Sequence, residues 1–265
     1  MLRYRAGRRC TFAVRAGGQR LIAKAYRHDR APVAHLLTAL EHHGLAAPRL
    51  VAYEPALRLL VTDRLDGVVG RDLLARGPRA GELAAEWLHR QAAVPFSEGR
   101  PHGPGDLLRR LRAAAGEIHA AAPDLGASAA ALIGELAQAP PAERAAVLSH
   151  GSFSINHVVD LGDRPGVIDW DEVGQGPREF DAGNFLATLA RVATAGPAVA
   201  LRAAEAERAF RERIADVVDP PALAWHEAAT LVWSARHLCV RQPEAWRARA
   251  SELLSMARAR PWASG

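Results

Sequence analysis

The chain has 265 residues, 49% apolar and 24% charged, with 34 basic against 29 acidic side chains and a net charge of +5. A chain of this length buries a substantial core as one large domain or two packed lobes, and it holds no apolar run of the roughly 18 residues that a membrane span needs. Arginine is scattered evenly among alanines instead of gathering with aromatics on one face, which argues against nucleic acid and leaves nucleotides or acidic partners as what the charge favours.

The basic opening MLRYRAGRRC is followed by no apolar stretch of the signal-peptide kind, and Cys10 and Cys239 form neither a disulfide framework nor a metal spacing. A reducing, cytoplasmic setting with no membrane partner is therefore expected. Segments 10–15 (CTFAVR) and 20–26 (RLIAKAY) read as strands joined by a turn at Ala16, Gly17 and Gly18. Alternation puts Ile22, Lys24 and Tyr26 on one face of the second strand. A helix follows over 31–43, closed by Gly44, and then two more strand candidates, PRLVAYEP and LRLLVTD, before the polar break at Asp66 and Gly67.

Beyond that break the pattern turns helical, in ELAAEWLHRQAAV, GDLLRRLRAAAGEIHAAA and ASAAALIGELAQA. The later strand signals are HVVD and GVID, flanking the turn LGDRP, and after Asp181 the chain reads as helix to its end. The fold class expected is α+β with two lobes: a small β-rich lobe over 1–66 with one helix, and a large, mainly helical lobe over 67–265 that holds a hairpin.

Lys24 is the single lysine in a chain rich in arginine. Such a residue suggests a site that a compact ammonium fits and a planar guanidinium does not. Phosphoryl transfer needs a cation on the phosphates, oxygen ligands for Mg²⁺ and a group beside the incoming hydroxyl. Lys24 suits the first part, against the plainer reading of an edge-strand lysine that discourages aggregation. Asp169, after the strand GVI, suits the second, against that of a turn aspartate.

With RYRAGRRCTF, AKAY, the HG pair at 150–151, GVIDWDE, FDAGNFLA and LAWHEAATL, the chain resembles the aminoglycoside phosphotransferase and choline kinase family, relatives of protein kinases. The resemblance implies that Lys24 contacts the α- and β-phosphates of ATP and that Asp169 binds Mg²⁺, with Asp171 in support. It further implies that His150 belongs to the catalytic-loop scaffold, that Asp181 braces that loop, and that the segment Val61–Leu65, with Asp63 at its middle, is the hinge against which adenine stacks. An N-cap would explain Asp181 nearly as well.

The family pattern H-G-D-x-x-x-x-N is altered here. Ser152 stands at the catalytic aspartate and His157 at the metal-binding asparagine, while Asn156 lies one residue early, a slip that turns a side chain to the opposite face. Val33 stands where the helix of the small lobe usually carries the glutamate that pairs with the lysine, and Glu41 comes about two turns too late. Serine cannot store a proton-accepting charge near neutral pH but can orient a hydroxyl.

Two functions follow. One is an ATP-dependent phosphotransferase acting on a hydroxyl of a small molecule or peptide, with the basic balance arguing against a polycationic acceptor. The other is a pseudokinase that binds nucleotide or ligand in support of a partner enzyme, for example in natural-product biosynthesis. A purely structural helical protein is a third reading, which the joint retention of Lys24 and Asp169 disfavours.

Overall fold

A computed structural model describes residues 1–262. Its first part is an antiparallel sheet of β1 (Arg3–Arg5), β2 (Arg9–Ala16), β3 (Gln19–Tyr26), β4 (Leu50–Glu54) and β5 (Leu59–Asp63), in the order β1-β2-β3-β5-β4, with α1 (Ala31–His42) between β3 and β4. The β2–β3 hairpin closes through Gly17 and Gly18, both with positive φ (57° and 78°), the backbone that a two-residue turn between twisted strands demands. Its register sets Arg9 opposite Tyr26 and Thr11 opposite Lys24, so these four side chains share one face of the sheet.

α1 begins with Pro32 in its first turn and buries Val33, Leu36, Leu37 and Leu40, a helical stripe turned to the core. Val33 is 3% exposed, so the position at which the family pattern has its pairing glutamate is given over to core packing.

The second part starts with β6 (Val68–Val69), α2 (Gly70–Leu74), α3 (Pro78–Gln91), β7 (Arg100–Pro101), α4 (Pro104–Ala121) and α5 (Pro123–Gln138). It continues through β8 (Val147–Ser149), β9 (Val158–Asp160), β10 (Pro165–Val167) and β11 (Gly174–Gly176), and ends in α6 (Arg178–Ala193), α7 (Pro197–Ile214), α8 (Pro220–Arg241) and α9 (Trp246–Arg258). β9 and β10 are the hairpin expected from HVVD and GVID, with Val158 opposite Val167. Four short strands were not expected: β6 joins that hairpin, and β7, β11 and β8 form a third small sheet.

One apolar cluster runs from Tyr26 and Leu36 through Trp87 and Phe153 to Trp170, Phe185 and Phe210, so the first sheet with its helix shares a core with the helical part. A second joins α4, α5, α8 and α9 around Leu111, Ile118, Leu132, Trp225 and Leu253. No helix among the described residues is long and apolar enough to cross a membrane.

Candidate active site

A cavity of about 510 Å³ opens between the first sheet and the β9–β10 hairpin, walled by Lys24, Thr11 and Arg9 on one side and by Asn156, His157, Asp169 and Asp171 on the other. Lys24 reaches across it. Its Nζ donates to Asp169 Oδ1 at 2.7 Å and to Asp171 Oδ1 at 2.8 Å. Tyr26, on the same face of β3, donates its hydroxyl to Asp171 Oδ1 at 2.8 Å.

Arg9 supplies a second cation, with Nη1 at 3.0 Å from Asp169 Oδ1 and Nη2 at 3.3 Å from Asp169 Oδ2, and it also closes onto Asp171. Two cations from one sheet thus hold two carboxylates from the other half of the chain. Sequence reasoning missed Arg9. The signal was the hairpin register, which places it diagonally beside Lys24.

The strand expected to carry Asp169 ends at Val167, and Asp169 lies beyond it with φ 67°. This left-handed backbone is uncommon outside glycine and is tolerated by aspartate, and such strained positions concentrate at functional sites. Burial alone would push the Asp169 carboxyl up, but the Lys24 charge and the Arg9 hydrogen bond override it and hold it well below the usual range. Burial lowers the Lys24 ammonium despite the opposing pull of Asp169. It also raises the Tyr26 phenol, which stays a donor.

Asp181, in the first turn of α6, braces the loop that precedes the hairpin. It accepts from the backbone N–H of His150 at 2.6 Å and of Gly151 at 3.1 Å, and from Gln91 Nε2 at 2.9 Å. α6 has no side-chain cap, so the N-cap reading of Asp181 is set aside. Trp87 Nε1 in turn donates to Gln91 Oε1 at 2.8 Å. Gly151 has φ 80°, and a β-carbon there would collide with the Glu172 carbonyl.

His150 is fully buried, and burial followed by the His157 charge lowers its pKa to about 4, so the ring is neutral. Its Nε2 faces the Ile168 carbonyl at 3.0 Å and must carry the hydrogen, leaving the Nδ1 lone pair to Ser152 Oγ at 3.3 Å. The Ser152 hydroxyl therefore donates inward, and its oxygen lone pairs stay open to an incoming hydroxyl.

His157 stacks on His150 with ring centroids 5.0 Å apart, and its Nε2 stands 3.9 Å from Asp169 Oδ2. Of the two, the Asp169 carboxylate is the kind of oxygen donor that Mg²⁺ prefers, whereas the His157 imidazole is a softer one. Asn156 is exposed and lines the cavity. Among the described residues no group of three or more His, Cys, Asp or Glu side chains forms a metal cage. One or two protein ligands are what Mg²⁺ uses when phosphate and water complete its shell.

Of the expected hinge, Asp63 and Leu65 line the cavity while Val61 does not. Strand alternation turns Leu60 and Thr62 inward, at 3% and 8% exposure, and sends the Val61 side chain away.

The profile of the phosphotransferase enzyme family matches residues 4–217. The chain belongs to that family. Solved structures of similar fold include aminoglycoside phosphotransferase APH(4)-Ia, with 18% identity, 97% of this chain and 92% of that one covered, and a TM-score of 0.66. A glucosamine kinase in complex with glucosamine, ADP and inorganic phosphate has 18% identity, with 93% and 79% covered and a TM-score of 0.63. A choline/ethanolamine kinase family protein from Mesorhizobium loti has 14% identity, with 94% and 87% covered and a TM-score of 0.59. Comparison with curated protein sequences gave no match. These likenesses establish for the phosphotransferase-family chain the α+β kinase-like fold, with a β-rich first part and a helical second part.

Proposed function

We infer that the chain transfers the terminal phosphoryl group of a nucleoside triphosphate, ATP being the expected donor, to a hydroxyl of a small molecule or peptide. The observation that carries this reading is the convergence of Lys24 with Asp169 and Asp171 at the wall of the cavity. In the resting site the two carboxylates serve as counter-ions to Lys24 and Arg9. Phosphates entering the cavity would take over that role, leaving Asp169, with His157 nearby, free to meet a phosphate-borne Mg²⁺. When bound, that ion would neutralise charge on the phosphate oxygens.

The acceptor oxygen forms its bond to the terminal phosphorus as the bond to the bridging oxygen breaks, and the diphosphate leaves. Ser152 orients the hydroxyl and cannot keep its proton, which passes to water. Electrostatic positioning by Lys24 and Arg9 is then the main catalytic contribution, and turnover is slow without a general base, whose usual effect is about 10² to 10⁴ in rate.

Calorimetric titration with ATP and Mg²⁺ tests this: saturable binding to the native chain, weakened at least tenfold by Lys24→Ala, is expected, and no heat with any purine nucleotide would refute it. The second reading, a pseudokinase that supports a partner enzyme, is favoured by one observation, the bonding of the Ser152 hydroxyl to a neutral His150. Nucleotide binding with no phosphorylated product over many hours, restored by no acceptor, would decide for it.

A further inference from the structure

A second cavity, of about 390 Å³, opens beside the third small sheet and shares no wall residue with the cleft among the described residues. Three helices begin at it: Gly103 and Pro104 open α4, Pro177 caps α6, and Ala222 stands in the first turn of α8. Pro101 of β7 and Pro141 and Ala142, ahead of β8, add to a wall made mostly of proline, alanine and glycine. Small-molecule sites are of this kind, roughly 300 to 1,000 Å³ with apolar walls and a few polar groups.

The polar group here is His226, one turn along α8 from Ala222 and part of the wall. It is 1% exposed, and neither ring nitrogen has a partner. Its aromatic neighbours cannot supply one. Phe180, edge-on at 5.9 Å, has no polar side-chain atom, and Trp225, edge-on at 5.0 Å, donates its Nε1 to the Leu136 carbonyl at 2.9 Å. Buried polar groups are ordinarily satisfied, so the cavity is the side from which a partner can come. Burial lowers the His226 pKa to about 3, and the neutral ring offers one N–H and one lone pair.

Charge around the cavity narrows the ligand class. Arg144 is held by Glu179 at 3.3 Å and Asp219 at 3.7 Å, and Arg100 by Glu172 at 3.3 Å, so both guanidiniums of the wall are already paired. Glu143 adds a carboxylate. A full anion therefore finds its counter-charges taken. A cation is opposed too, because α4 and α6 start here without side-chain caps, and the partial positive charge of their first turns favours a ligand oxygen.

We propose that this cavity is a second ligand site, separate from the phosphate cleft, and that it takes a small uncharged compound whose hydroxyl or amide head pairs with His226 while its apolar body packs on the proline and alanine walls. The site stands whether or not the cleft transfers phosphate.

Titration of the full chain at pH 7 with cyclohexanol and cyclohexanecarboxamide tests it, with cyclohexanecarboxylate and cyclohexylammonium as charged counterparts on the same ring. The readout is the imidazole NMR signal of His226, assigned by its loss in His226→Leu, together with calorimetry. The uncharged pair is expected to bind saturably and to move that signal, and the charged pair to bind at least tenfold more weakly. His226→Leu and Ala222→Trp, which fills the cavity, should each weaken the uncharged probes at least tenfold, whereas Lys24→Ala should leave them within about twofold. Ala142→Trp, on the exposed side of the wall, should weaken them about threefold and serves if Ala222→Trp does not fold. No binding of either uncharged probe, tighter binding of a charged one, affinity unchanged in the cavity variants, or a loss in Lys24→Ala overturns the proposal.

Discussion

Arg9 forks onto both carboxylate oxygens of Asp169, at 3.0 and 3.3 Å, across 160 residues of sequence. Its side chain is 7% exposed and its Nε has no partner, so the guanidinium is committed to the cleft. With Lys24 it makes the charge of the Asp169–Asp171 pair balance to zero.

Replacing Arg9 with glutamine removes one cation from a mostly buried set and leaves a carboxylate undercompensated. Breaking such a pair costs about 3 to 5 kcal/mol when it is fully buried, and the 27% exposure of Asp169 reduces that to about 2 kcal/mol. Urea unfolding of Arg9→Gln should show this loss, and ATP affinity should fall at least fivefold. Unchanged nucleotide affinity would mean that Arg9 is a structural partner of Asp169 and nothing more.

Asp181 holds two backbone N–H groups of the loop together with Gln91. Asp181→Ala leaves those buried donors unpaired, at about 1 to 3 kcal/mol each. A stability loss of about 3 kcal/mol is expected, with weaker ATP binding even though Asp181 touches no lining residue of the cavity other than through the loop. Asp181→Asn, which keeps one acceptor oxygen, should lose roughly half as much.

Acid should destabilise the chain early. His226 is 1% exposed with both ring nitrogens unpartnered, and burial lowers its pKa to about 3; His150 is lowered to about 4. An unfolded histidine takes up a proton near pH 6.5, so above that pH neither residue contributes to a pH dependence. Below it the unfolded chain binds more protons than the folded one, and stability falls by about 1.4 kcal/mol per histidine per pH unit until the folded rings titrate. Between pH 7 and 5 the two together should cost about 4 kcal/mol. Equilibrium unfolding at both pH values measures it, and His226→Leu should remove about 2 kcal/mol of the loss while leaving stability at pH 7 unchanged or raised. Loss of the Asp169 ion pairs adds to the acid effect below the usual carboxylate range, with the same sign.

Ser152→Asp places a carboxylate where the acceptor hydroxyl is expected. If phosphoryl transfer is slow for want of a base, product formation should rise by about 10² or more, and Ser152→Ala should lower the existing rate by removing the oriented oxygen. ATP affinity should change little in either. Equal rates in all three would place the limiting step outside proton transfer.

Lys24 and Asp169 were legible because the chain carries one lysine and because GVIDWDE stands at a strand end. The β2–β3 hairpin and α1 were legible too, since each is long enough for its period to show. β6, β7, β8 and β11 were not: two or three residues cannot display alternation, and their pairing is fixed by neighbours far away in sequence. The roles of Arg9 and Gln91 stayed hidden for the same reason, because each depends on which distant backbone lies opposite. The conformation of Asp169 could not be read either, as φ 67° belongs to the packing of the hairpin and not to a local motif.

The single lysine has a practical corollary. Lys24 is 17% exposed at the cavity wall, so apart from the N-terminus every amine available for acylation lies inside the cleft. An amine-directed reagent would label the chain there once, slowly, and more slowly still under any occupant, and counting the acyl groups by intact mass would give a direct gauge of whether the cleft is filled.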